Sequence, residues 1–507
     1  MKVSAIVPVY NPGSDIDDCI RTLLDQSLPA SSYEVIFVDD GSTDGTGERL
    51  DALAAEHDNV RVAHIPNSGW PGRPRNVGLD DAKGEFVYFV DNDDWIGREA
   101  LARLYERAVR DDADVVVGKV VGHGKAVPRE LFARDRKARL GWPPLQGLLS
   151  PHKLFRRAFL AEHDIRFPEG RIRLEDHLFV MHAYFHARTI SVLATYPCYH
   201  WLRHEGGNAS FGRLDAQVYY RSLRDVLDLV VEHTEPGRDR ERLLSHWYAS
   251  KMLARVGGRG MLGQDPELRR DVYDEVRAVA AEHYDYDVER FLPYNLRLRS
   301  RLLRAGAFEA LEELAQWETK LRAQVTLQEL RLQGRGVLLR VEARLRGAGG
   351  ALAFRRDGRR LLLMGPADEL DAAKAMADND VELYIRSLDD GSEYAIRTDA
   401  RTRLERAREG GVTPVQTMVA WVSPGRGAAG GPLPPGDWEV LVKVSAAGFS
   451  ANSRVRREGE AAPVVLTVDR RGWLAEQGTP VTLRQRVGRR HPSLARAVRR
   501  ARATAGA

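Results

Sequence analysis

Val3-Ser4-Ala5-Ile6-Val7-Pro8-Val9-Tyr10-Asn11 is an apolar run that ends in polar residues, and the chain repeats that form twice. It returns at Glu34-Val35-Ile36-Phe37-Val38-Asp39-Asp40-Gly41-Ser42-Thr43-Asp44-Gly45 and at Phe86-Val87-Tyr88-Phe89-Val90-Asp91-Asn92-Asp93-Asp94. Short runs rich in Val, Ile and Phe that alternate with helical patterns are the mark of βαβ units feeding a mainly parallel sheet. The spacing predicts strands at residues 3–8, 34–39, 61–65, 86–91 and 114–118. Between the first two, Ser14-Asp15-Ile16-Asp17 has the pattern of a capping box, opening a helix with Ile16, Ile20, Leu23 and Leu24 on one face.

In open α/β sheets ligands bind beyond the carboxyl ends of the strands. Here three of those ends converge as a carboxylate-rich cleft. Two carboxylates one residue apart, as in Asp91-Asn92-Asp93, can both face a divalent cation that also binds a diphosphate. Mg²⁺ and Mn²⁺ take oxygen ligands and commonly use one or two protein carboxylates, leaving the rest to phosphate and water. Alone, such a triplet is more often a turn or a helix cap, and Asp94 is itself a candidate cap for a helix beginning near Arg98.

Outward from this core the pattern changes twice. From residue 214 to 324 the period is helical, with Val226, Leu229 and Val230, then Leu243, Leu244 and Trp247, then Leu311, Leu314 and Trp317, broken by Pro236 and by Gly257, Gly258 and Gly260. From 325 to 483 short alternating segments such as Val337-Leu338-Leu339-Arg340-Val341 and Trp438-Glu439-Val440-Leu441-Val442-Lys443-Val444 read as one or two antiparallel β-sandwich modules. Residues 484–507 carry eight arginines and no acid, a basic tail. The expected division is therefore 1–213, 214–324, 325–483 and the tail, within a 507-residue chain too long for one ordinary core.

Composition excludes several classes. Lys plus Arg number 76 against 72 Asp plus Glu, so the chain as a whole is no nucleic-acid binder by charge. Two cysteines, Cys19 and Cys198, rule out a disulfide scaffold and fit a reducing compartment. The amino terminus lacks the pattern of a signal peptide, and no apolar run approaches the roughly 20 residues of a membrane span. The expectation is a cytoplasmic protein, peripheral at the inner face of the plasma membrane if the tail meets anionic lipid.

Four motifs in order, Pro8-Val9-Tyr10-Asn11, Val38-Asp39-Asp40-Gly41-Ser42-Thr43-Asp44-Gly45-Thr46, Arg75-Asn76-Val77-Gly78 and Asp91-Asn92-Asp93-Asp94, closely resemble the family 2 glycosyltransferases of the GT-A fold. The resemblance covers roughly residues 1–215. It implies a UDP-sugar donor, UDP-GlcNAc or UDP-glucose, and Mn²⁺ or Mg²⁺. Pro8, Val9, Tyr10, Asp40, Asn67, Arg75, Asp91 and Asn92 would then line the nucleotide site, with Tyr10 on the base, Asp40 on the uracil edge and Asp91 on the ribose. Asp93, with Asp91, would hold the metal.

Further on, the resemblance makes Asp176 of Arg173-Leu174-Glu175-Asp176-His177 the base that deprotonates the acceptor hydroxyl, with Glu175 orienting acceptor or base. Seen alone, Glu-Asp before an apolar helix is a cap. Tyr199-His200-Trp201-Leu202-Arg203 and Ser210 resemble a loop that closes over the diphosphate, Arg203 neutralising leaving-group charge. His200 and His204 either contact metal or phosphate or are structural, and Gly206-Gly207 would let the loop move as a lid.

The order of domains is similar to that of bacterial enzymes that glycosylate wall teichoic acid, whose C-terminal modules assemble them. That likeness implies a polyol-phosphate acceptor and a homo-oligomer, trimer or dimer. A capsular or exopolysaccharide acceptor is the alternative, and a non-catalytic nucleotide- or carbohydrate-binding assembly protein is the alternative of another class.

Overall fold

The apolar run at the head of the chain forms strand β1 (Val3–Val9), and all seven residues of its parallel neighbour β2 (Tyr33–Asp39) are buried. A computed structural model describes residues 1–476 except 125, 204–213, 348–349, 368–369, 377–379, 409, 471 and 473. It separates into two units, Met1–Leu243 and Leu244–Ala507.

In the first unit the elements follow as β1, α1 (Asp17–Leu24), β2, α2 (Thr46–Glu56), β3 (Val60–His64), α3 (Gly72–Asp81), β4 (Phe86–Phe89), β5 (Trp95–Ile96), α4 (Ala100–Asp111), β6 (Val115–His123), β7 (Arg136–Ala138), β8 (Leu154–Arg156), α5 (Arg157–Glu162), α6 (Glu175–His186), β9 (Ile190–Leu202) and α7 (Ala216–Glu232). One sheet runs β3-β2-β1-β4-β8-β6-β9-β5, with β7 on β9. Its first four strands are parallel; β8 enters antiparallel between β4 and β6, so the second half is mixed. The chain order reverses between β1 and β4, and the crevice at such a switch point is where α/β sheets bind ligands.

Two local expectations are corrected. The capping box at Ser14 does not form: Ile16 caps α1 without a side-chain bond, and Ser14 offers its backbone carbonyl to Asp17 N. Nor does Asp94 cap α4, which starts after Glu99; its carboxylate is buried and spoken for elsewhere.

In the second unit the helical pattern forms Pro266–His283, Tyr294–Arg304 and Phe308–Glu318, burying Leu311 and Leu314 while Trp317 is half-exposed. Among the described residues two antiparallel sheets follow, of seven and six strands. Gly336–Gly347 is buried through its first four residues and from Arg340 to Leu345 alternates half-buried and buried positions, as a strand with one face on a core does. Gln416 Nε2 reaches from the first sheet to the Ser445 carbonyl of the second at 2.6 Å. No described helix is long and apolar enough to cross a membrane.

Candidate functional site

The ends of β1 and β2 are tied to one another before any ligand is considered. Asn11 adopts a left-handed φ of 46°, donates from its backbone to Ser42 Oγ at 3.0 Å and accepts from Thr43 N at 2.7 Å. Asp40 is buried; its two oxygens accept from the Ser68 backbone (2.8 Å) and hydroxyl (2.9 Å). Gly41 sits at φ +74°, where a Cβ would stand 2.9 Å from Asn67 N, so only glycine lets the Asn67 loop close on β2. Tyr10, 51 % exposed, and Asn67 stand at this rim, with Pro8 and Val9 beneath Tyr10 in the strand.

Arg75 joins this rim to the far wall. It is a buried guanidinium on α3, donating from Nη2 to Asp91 Oδ1 at 2.8 Å and from Nη1 to Glu175 Oε1 at 3.3 Å. The other Asp91 oxygen takes His152 Nε2 at 3.0 Å, and the His152 ring stacks on Tyr199 with centroids 3.9 Å apart. Burial opposes charge on Asp91, but His152 and Arg75 outweigh it and hold the carboxyl far below its usual range. Burial lowers His152 while the Asp91 charge works against that lowering, and its Nδ1 has no hydrogen-bond partner. Both Asp91 oxygens are thus engaged by protein donors, leaving only their outer lone pairs for a ribose or a metal.

Asn92 and Asp93 are half-exposed in the turn between β4 and β5. Asp94, buried behind them, accepts from Tyr199 Oη at 2.6 Å and Leu202 N at 2.8 Å. Burial first, then the charges of Asp91 and Asp93, push its carboxyl well above the normal value. A bound cation would relieve such a cluster of like charges; the donor atoms that lie within 4.8 Å of one another here are those of Asp91, Asp94 and His152, with Asp93 half-exposed beside them.

At the far wall α6 begins at Glu175, and Leu174 before it is held at φ 59°. A bulky residue in that region signals strain that neighbouring structure must hold, a common feature of functional sites. Glu175 and Asp176 occupy the first turn, not the cap, where the helix dipole favours their charge. Glu175 is buried against Arg75; Asp176 is half-exposed, its Oδ1 accepting from His177 N at 2.9 Å. The Asp176 charge is felt by both Arg75 and Lys153.

Lys153 is fully buried, donates to the Ser150 carbonyl, and is lowered by that burial to about 7. Sequence reasoning missed Ser68, His152 and Lys153; the polar pair His152-Lys153 heading an apolar strand was the available signal.

Arg203 is exposed at the end of β9, its backbone donating to the His123 carbonyl at 3.0 Å. His204, Gly206, Gly207 and Ser210 lie outside the described residues, as does the tail 484–507. His200 is buried, stacked on Trp95 at 5.2 Å and 3.0 Å from His123 Nε2 through Nδ1.

Residues 4–169 match the model of Glycosyl transferase family 2, and 216–315 match the Glycosyl transferase TarS linker domain. The crystal structure of S. aureus TarS 1-349 in complex with UDP-GlcNAc is 30% identical with a TM-score of 0.55, covering 62% of this chain and 91% of that one. The chain belongs to glycosyl transferase family 2. This family 2 chain is also 36% identical over 233 residues to the poly(ribitol-phosphate) beta-glucosyltransferase of Bacillus spizizenii, covering 45% of this chain and 37% of that relative. The match therefore spans little more than a third of that relative's length. The longer crystal structure of S. aureus TarS shares its fold at 22% identity and a TM-score of 0.56, across 95% of this chain and 86% of that one.

Proposed function

We propose that this chain is an inverting glycosyltransferase moving GlcNAc or glucose from a UDP-sugar to a hydroxyl of poly(ribitol-phosphate), the polyol-phosphate of wall teichoic acid. One observation carries the reading: Arg75 bridges Asp91, on the donor side, and Glu175, beside the proposed base, so both halves of the reaction share one cleft. The names of the Bacillus relative and the UDP-GlcNAc complex support the choice of acceptor and donor.

In this reading residues 1–213 carry the chemistry, 214–324 link, and 325–483 serve assembly or acceptor binding. Tyr10 lies against the base, Asp40 accepts from its edge, Asn67 and Arg75 line the nucleotide pocket, and Asp91 takes the ribose. Asp176 removes the acceptor proton as the hydroxyl attacks in line, so the anomeric centre inverts in one step. Arg203 stabilises the departing diphosphate. Mn²⁺ or Mg²⁺ held by Asp93 would supply further neutralisation of that charge.

The test is turnover of UDP-GlcNAc and UDP-glucose by the full chain with poly(ribitol-phosphate) and Mn²⁺. Wild type should transfer one of the two sugars, and Asp176→Asn should lower kcat by about 10²- to 10⁴-fold while UDP affinity stays within about twofold. Absence of turnover with any nucleotide sugar and either cation would instead favour the binding-protein alternative, and transfer to a capsular polysaccharide alone would replace the acceptor.

Self-association into a dimer or trimer through the all-β unit, a cytoplasmic location, and contact of 484–507 with anionic polymer or lipid belong to the same proposal. Light scattering and liposome sedimentation, with and without the tail, check the two contacts.

A further inference from the structure

Four histidines gather at the opposite end of α6 from the carboxylates. His182 and His186 stand four residues apart on α6 and so share one face. His233 ends α7 and His163 ends α5. One ring nitrogen from each of His182, His186 and His233 lies within 4.8 Å of the others. The three rings meet edge to face, with centroids 5.0, 5.7 and 5.4 Å apart, and His163 stacks on His186 at 4.5 Å.

The details fit ligation better than packing. His233 Nδ1 is 3.0 Å from the Leu229 carbonyl, which can only accept, so Nδ1 carries the hydrogen and Nε2 presents its lone pair. A backbone carbonyl fixing the tautomer of a ligating histidine is the usual outer-shell arrangement. Phe185 covers the His233 ring at 4.9 Å, excluding water from one side.

We propose that His182, His186 and His233 form a transition-metal site, taking Zn²⁺ with water in the fourth position and clamping the carboxyl end of α6 to that of α7. Imidazole suits zinc, copper and nickel and is a poor choice for Mn²⁺ or Mg²⁺, so the site is chemically separate from the carboxylates near Asp93. Along the helix it is also about 10 Å from Glu175. Tetrahedral zinc with bonds of about 2.0–2.1 Å wants ligand nitrogens roughly 3.4 Å apart, which small side-chain rotations here would supply.

The experiment uses the full chain, stripped with chelator and then kept in excess Mn²⁺ to occupy oxygen-rich sites. One equivalent of Co²⁺ should bind with the strong visible bands of four-coordinate cobalt and be displaced by Zn²⁺. Zinc at about 100 times its Kd should raise Tm by roughly 5–10 °C. His182→Gln/His233→Gln should lose both effects while its thermal shift with UDP persists. Wild type that binds no stoichiometric Co²⁺, or binds it only as an octahedral ion with weak bands, overturns the proposal; so does a double variant that keeps the four-coordinate spectrum. Should the double variant not fold, His233→Gln alone is read the same way, and the wild-type spectrum decides regardless.

Discussion

Arg75 is the residue on which the cleft turns. Its guanidinium is buried and divided between Asp91 and Glu175, and its charge helps to hold Asp91 ionised. Arg75→Met leaves two acids facing each other with one cation gone, and breaking a buried pair costs about 3–5 kcal/mol. Chemical denaturation should show that loss; a change under about 1 kcal/mol would mean the bridge is ornamental. Lys153 offers a pH signature instead. Burial takes it from 10.5 to about 7, so between those values the unfolded chain binds a proton that the folded chain does not. Stability therefore rises with pH through that window. Lys153→Met, lacking the group, should be more stable than wild type at pH 7, with the gap narrowing by about 2 kcal/mol by pH 9. Parallel stability profiles for the two proteins over pH 7–9 would refute the buried-lysine account.

Elements were legible in the sequence where burial on both faces left a continuous apolar signal, as in β1 and β2, whose ends fall within a residue or so of expectation. The signal fails for β8: three residues long and antiparallel between longer strands, it has no periodicity of its own, and so His152 and Lys153 beside it went unread. The motifs marked Arg75, Asp91 and Glu175 separately, yet that one guanidinium joins them depends on α3 lying close to the sheet. Gly78 makes that closeness possible: a Cβ there would stand 2.4 Å from Ile6 Cγ2 and 3.3 Å from Val38 Cγ2. Gly78→Ala should push α3 outward, costing about 1–3 kcal/mol of stability. Because Arg75 rides on the same helix, UDP affinity should fall as well. Calorimetric binding at wild-type strength in a destabilised Gly78→Ala protein would separate the helix's packing from its role in the site.

At the scale of the whole molecule, length and the two changes of periodicity announced several cores, and the chain divides between Leu243 and Leu244, inside the helical run Arg238–Trp247. Periodicity could not place that cut, because a helix reads the same whichever core takes its apolar face. Each unit has its own buried interior, one around the β1-to-β9 sheet and the other around the two antiparallel sheets. Units with separate cores are expected to melt separately. Scanning calorimetry of the full chain should therefore resolve two transitions. UDP with Mn²⁺ at 100 times its Kd adds about 2.7 kcal/mol to whatever folds around it, so only the transition of the first unit should move, by roughly 5–10 °C. A single transition that shifts as one would mean that the second unit unfolds with the nucleotide site, and that the boundary at Leu243 divides contacts without dividing stability.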